Sequence, residues 1–95
     1  MATLYIEEFA NVCSITGLPQ EPSAATQTVT ISGASAQSAA FGAATRYVRL
    51  HSDVSMSYLF GANPTATTSK PRLAAGVTEY FGVVAGQKVA AITNT

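Results

Sequence analysis

Val54-Ser55-Met56-Ser57-Tyr58-Leu59-Phe60 decides the fold. Val54, Met56, Tyr58 and Phe60 fall on one side of an extended chain, and the serines fall opposite. A repeat of two is the signature of a half-buried strand, with one face on a core and one in water. The stretch before it repeats the pattern. In Tyr47-Val48-Arg49-Leu50-His51-Ser52, Val48 and Leu50 point one way while Tyr47, Arg49 and His51 point the other. Ser52-Asp53 separates the two runs as a tight turn.

The same period extends outward in both directions. In Thr26-Gln27-Thr28-Val29-Thr30-Ile31-Ser32 the threonines share one face, and Gln27, Val29 and Ile31 share the other. The run is rich in β-branched residues, which suit a pleated surface. Thr78–Val84 and Gln87–Thr93 read as two further strands, with Ala85-Gly86 between them at hairpin length and Gly86 supplying a positive φ. Leu4–Phe9 reads as a first strand and Ala36–Phe41 as a weaker one. Gly61-Ala62-Asn63-Pro64 ends one strand, and a polar Ala/Thr/Ser loop fills 62–71 up to Lys70-Pro71. Gly17–Ala25, with Pro19 and Pro22, forms another loop. No window keeps helical spacing with caps at both ends. A short helix has room only in the Ala-rich stretch 33–45, where Gly33, Gly42 and the serines oppose it.

Seven or eight short strands with turns every eight to twelve residues predict an all-β fold. The expectation is a single antiparallel β-sandwich or small barrel, jelly-roll-like in kind. Residues 1–25 are expected to form an N-terminal strand and an arm, and 26–95 the sandwich core, in one domain overall. The expected core is Val29, Ile31, Val48, Leu50, Val54, Met56, Phe60 and Val89.

Composition narrows the function classes. The chain has 95 residues, five basic and five acidic, for a formal net charge of zero. With no basic excess there is nothing to hold a polyanion, so free nucleic acid is not an expected partner. The apolar runs fall far short of the ~20 residues that span a bilayer, so no membrane is expected. Met1-Ala2-Thr3-Leu4 has neither a basic nor an apolar leader region, so no secretory signal is expected. Cys13 is the only cysteine, which excludes an internal disulfide and a four-cysteine zinc site. Charged residues make up 11% of the chain, against about 25% in an average domain. Interfaces are depleted in Lys, Glu and Asp, so the deficit points to extensive subunit contacts. The charges also segregate: residues 1–45 hold Glu7, Glu8 and Glu21 and no base. Residues 46–95 hold Arg46, Arg49, Lys70, Arg72 and Lys88 against Asp53 and Glu79.

Catalytic constellations are thin. His51 and Asp53 would share a face if both were on one strand, but no Gly-x-Ser-x-Gly elbow accompanies them. Glu7 and Glu8 are adjacent, so on a strand they face opposite ways and make a poor acid–base pair. The glycines never match a phosphate loop. One histidine, one cysteine and five scattered acids offer no metal cluster, and no cofactor is expected. Arg46, Tyr47 and Arg49 interleave base and aromatic on one strand, a weak single-strand-binding pattern that more often serves an interface or ion pair. An enzyme is therefore not expected; a structural or binding module is.

A resemblance carries the reading further. It rests on Ser38-Ala39-Ala40-Phe41, Thr45–Leu50, Phe60-Gly61-Ala62-Asn63-Pro64-Thr65-Ala66, Arg72-Leu73-Ala74-Ala75, Glu79-Tyr80-Phe81-Gly82-Val83 and Gly86–Ile92, in that order. Over residues 38–92 this resembles small all-β virion proteins of tailed bacteriophages, similar in kind to head decoration or cement proteins. The resemblance implies a protein made in the host cytoplasm and carried on the virion head surface. There it would stabilise the capsid as a trimer or dimer by bridging major capsid protein subunits. Many modest contacts on a repeated lattice would add up to high avidity. The expected interface residues are Arg46, Arg49 and Arg72, with Asn63 and Lys70 of the 62–71 loop. Rival readings are a tail, adaptor or fibre component, or a carbohydrate- or receptor-binding β-sandwich with Tyr47 and Tyr58 as candidate aromatics.

Overall fold

The computed structural model describes residues 2–11, 17–18 and 21–95; Cys13 and Pro19 lie outside the described residues. Two four-stranded antiparallel sheets pack face to face. In chain order the strands are β1 (Ala2–Phe9), β2 (Ala25–Ile31), β3 (Ala36–Gln37), β4 (Tyr47–Ser52), β5 (Met56–Gly61), β6 (Arg72–Leu73), β7 (Thr78–Gly82) and β8 (Lys88–Thr93). The first sheet runs β2-β1-β4-β7 and the second β3-β8-β5-β6. This is the expected antiparallel sandwich, and no described residue is helical.

The alternating pattern decides which side chains meet between the sheets. Leu4 and Ile6 of β1, Val29 and Ile31 of β2, and Val48 and Leu50 of β4 line the inner face of the first sheet. Met56 of β5, Leu73 of β6, and Val89 and Ala91 of β8 oppose them from the second. Apart from Ala91, each of these side chains contributes about 1.5–3 kcal/mol by leaving water. Val54 and Phe60, expected in the core, are half-buried against it. Phe60 belongs to an aromatic group: Tyr58 and Phe81 stand 5.1 Å apart, Phe60 and Phe81 5.3 Å, and Phe41 and Phe60 6.3 Å.

Two connections cross between the sheets, and one of them, Ala85-Gly86, was expected to close a hairpin. Ser52-Asp53 does not join a hairpin, because β4 and β5 belong to different sheets. Ser52 Oγ donates to the Val54 carbonyl at 2.5 Å, closing a corner that turns the chain from one layer to the other. Ala85-Gly86 likewise carries the chain between layers instead of closing a hairpin. Gly86 has the expected positive φ of 84°. Its turn is held from outside: the Gly86 amide donates to the Phe41 carbonyl and the Phe41 amide to the Gln87 carbonyl. Long-range pairing thus overrides the local hairpin signal.

A boundary at residue 26 does not separate an arm from a core. β1 lies inside the first sheet, pairing with β2 along Ala2–Glu8 and with β4 along Leu4–Phe9. Any arm is confined to the segment between Phe9 and Ala25, much of it outside the described residues.

Glu8 is the one charged side chain among the buried residues, 3% exposed. Its Oε1 accepts from the Gly42 amide at 2.9 Å and the Thr45 hydroxyl at 2.7 Å. Its Oε2 accepts from Gln27 Nε2 at 3.2 Å. Gln27 Oε1 in turn accepts from the Ala39 amide at 2.9 Å. A buried carboxylate is tolerated only when its lone pairs are filled this way. Glu8→Ala should lower the unfolding free energy by about 1–3 kcal/mol, because it strands the buried donors. Urea denaturation of both proteins checks the value.

Candidate functional site

The outer faces of the two sheets are unlike. On the second sheet, Ser57, Leu59, Ala90 and Ile92 point away from the core. Ser57 and Ala90 are nevertheless fully buried, because the 62–71 loop lies across them. Gln37 Nε2 donates to Asn63 Oδ1 at 2.8 Å and to the Pro64 carbonyl at 2.7 Å. The Ala66 amide donates to Ser35 Oγ, and Asn94 Nδ2 to both Ser57 Oγ and the Thr68 carbonyl. Ala66, within this loop, is itself buried.

Among the described residues, no such lid crosses the middle of the first sheet. Its register sets out two cross-strand rows: Thr26, Glu7, Arg49 and Tyr80, then Thr28, Tyr5, His51 and Thr78. Tyr5 is 46% exposed and Tyr80 52%. Arg49 Nη1 lies 3.9 Å from Glu7 Oε1, both side chains partly in water. Such a pair is worth about 0–1 kcal/mol, so Arg49 can turn to another partner at little cost. Tyr5, Glu7, Thr26, Thr28 and Arg49 line a shallow open trough of about 530 Å³. At one end of the face the aromatics are already engaged: Phe9 stacks on Tyr47 at 5.2 Å, and the Tyr47 hydroxyl donates to the Asn11 carbonyl at 2.7 Å.

The expected interface residues divide between the two sheets. Arg49 stands on the bare face, opposite the Val48/Leu50 side as expected. Arg46 is exposed just before β4, with its carbonyl accepting from the Val83 amide. Arg72 belongs to the second sheet, and its Nε donates to the Asn94 carbonyl at 2.9 Å. Asn63 is engaged with Gln37, and Lys70 is exposed in the lid loop. These five do not form one patch.

The other candidates also resolve. His51 Nδ1 is 2.9 Å from Thr78 Oγ1, while Asp53 is exposed in the bend beyond β4, so they form no catalytic pair. Glu7 and Glu8 face opposite ways, one on each side of β1. Among the described residues no three His, Cys, Asp or Glu side chains cluster as a metal would need. Tyr47 is held by Phe9 and Asn11, and Tyr58 packs against the core, so neither is free to stack on a ligand. The exposed tyrosines are Tyr5 and Tyr80. The signal for Tyr5 was present: it alternates with Leu4 and Ile6 as Arg49 alternates with Val48 and Leu50.

No protein-family model, curated protein or solved structure matches the chain.

Burial raises the Tyr58 phenol above its ordinary value of 10.0, with the Glu79 carboxylate adding to the shift. The neutral phenol is favoured in the fold, so the unfolded chain loses this proton first as pH rises. Tyr58 therefore costs stability from about pH 10 upward and nothing below it. In a spectrophotometric titration, Tyr58→Phe should remove a component that ionises above 10.0.

Proposed function

We propose that this chain is a non-catalytic structural protein of a phage virion that decorates the head and stabilises it by bridging major capsid subunits. One observation carries the reading: the fold seals one outer face with its own 62–71 loop and leaves the other as an open, weakly charged platform. A platform built from strands is rigid before it binds, so little order is lost on docking. Tyrosine and arginine are the side chains that most often dominate interface energy, and Tyr5, Tyr80 and Arg49 stand together here. The low charge of the chain suits burial against a partner. The resemblance of residues 38–92 to small virion proteins supplies the context, and repetition on a lattice supplies the avidity.

A sugar ligand is the second reading. Tyr5 offers a flat exposed ring, and Thr26, Thr28, Glu7 and Arg49 around the trough offer hydroxyl, carboxylate and guanidinium partners. Selective capture of a glycan by the isolated protein would favour this reading over a capsid partner.

The deciding experiment mixes purified protein with expanded capsids that lack it, followed by sedimentation and imaging. The expected result is saturable binding to heads and greater resistance of the shell to heat. Tyr5→Ala combined with Arg49→Ala should weaken binding about tenfold or more, a loss of about 1.4 kcal/mol or more. Absence of head binding, or binding to tails alone, would overturn the head-decoration reading.

A further inference from the structure

The cluster around Glu8 holds more than a structural network needs. A threonine and a glutamine can satisfy one another as neutral partners, yet here one carboxylate holds both. Thr45 is 2% exposed and Glu8 3%. Thr45 Oγ1 donates to Glu8 Oε1 at 2.7 Å, and Gln27 Nε2 donates to Glu8 Oε2 at 3.2 Å. A hydroxyl bonded to a carboxylate is a nucleophile beside its base. The group on the other oxygen of that base is a carboxamide, which is an electrophile.

The carboxamide is held for attack. Gln27 Oε1 accepts from the Ala39 amide at 2.9 Å, so a backbone donor already sits where negative charge would develop. Gln27 Nε2 also reaches the Ala39 carbonyl at 3.3 Å, which fixes the plane of the group. Gly42 keeps room beside the hydroxyl: a Cβ there would stand 3.4 Å from Thr45 Oγ1 and 3.8 Å from Glu8 Oε1. Nucleophile, base, electrophile and oxyanion donor thus meet in one place, although they come from β2, β1 and the crossing that leads into β4.

We infer that Thr45 and Gln27 join in an intramolecular ester, formed once by each folded chain with Glu8 as the base. Thr45 Oγ1 attacks Gln27 Cδ while Glu8 takes the hydroxyl proton. The Oγ1–Cδ bond forms, and the carbonyl electron pair moves onto Gln27 Oε1, against the Ala39 amide. That pair then returns, the Cδ–Nε2 bond breaks, and Glu8 gives the proton to Nε2, which leaves as ammonia. Nothing is oxidised or reduced, no co-reactant is consumed, and Glu8 ends as it began. Groups fixed in one fold escape the entropy of being brought together, which supplies the rate. Burial of the hydroxyl and the carboxylate keeps water from competing for the carboxamide and from opening the product. β1 lies between β2 and β4, so the ester would clamp it in the sheet. A chain with one cysteine, and so no internal disulfide, gains a staple that needs no oxidant. The inference is independent of what the outer face of the first sheet binds.

Mass spectrometry of the denatured full chain tests it. The wild type should weigh one ammonia less than its sequence requires, and Thr45→Ser should keep that loss. Thr45→Val and Glu8→Gln should restore the full mass, with circular dichroism reporting whether each folds. Chymotrypsin cuts after Phe41, between the two joined residues. The fragments that hold Gln27 and Thr45 should stay together after the cut, and hydroxylamine, which opens esters, should part them. A merely structural cluster would leave every one of these proteins at full mass. A folded wild type at full mass would overturn the inference. So would an ammonia loss that persists in Thr45→Val, or fragments that separate without hydroxylamine.

Discussion

The buried carboxylate of Glu8 is the constraint on which the two layers depend. It sits on the inward side of β1, where an unpaired charge would cost several kcal/mol. Its oxygens are filled by Gly42, Thr45 and Gln27, and Gln27 also holds Ala39. The crossing between β3 and β4 is thereby fixed against the first sheet. Phe41 rides on that crossing, and its backbone holds the Gly86-Gln87 turn that leads into β8. One carboxylate therefore ties the first strand, the central crossing and the last strand into a single arrangement. A hydrophobic residue in its place could fill the volume, but it could not specify which loop lies where.

The second organising feature is the unequal treatment of the outer faces. The 62–71 loop uses backbone groups and small polar side chains to cover the second sheet, so that even outward-facing Ser57 and Ala90 are dry. The second sheet thus has a core on one side and a lid on the other. The first sheet has a core on one side, and on the other, among the described residues, Tyr5 and Tyr80 stand exposed. A chain of this size cannot cover all of its apolar surface. Part of what is left over, Tyr5 and Tyr80, stands on the outer face of the first sheet.

Most of the fold was legible because a period of two needs no tertiary information. The runs around Val29, Leu50, Met56 and Val89 identify strands and their buried sides from local sequence alone. What the pattern could not show was which strands share a sheet. Ala85-Gly86 has hairpin length and Ser52-Asp53 reads as a tight turn, yet both carry the chain across the sandwich; bonds to Phe41 hold the first, and the Ser52–Val54 bond closes the second. Arg72-Leu73 was missed as a strand, since two residues carry no period. The platform was legible in part: Arg49 was placed outward by alternation. Tyr80 reads from the sequence only as core or interface packing, and Tyr5 does not stand out, because exposure of that face depends on where the lid loop goes. Glu8 was visible only as half of a poor catalytic pair, and its donors are 19 to 37 residues away.

The position of β1 has a consequence for the order of events during synthesis. β1 is translated before β4, yet it must pair with Tyr47–Ser52 along one side and with β2 along the other. A nascent chain that stops short of residue 52 holds a strand with one flank unfilled. Native pairing waits until more than half of the chain is available, and a topology of such distant pairings folds slowly. β1 is thus made well before its β4 neighbour, and it is open to pairing with the wrong strands while it waits.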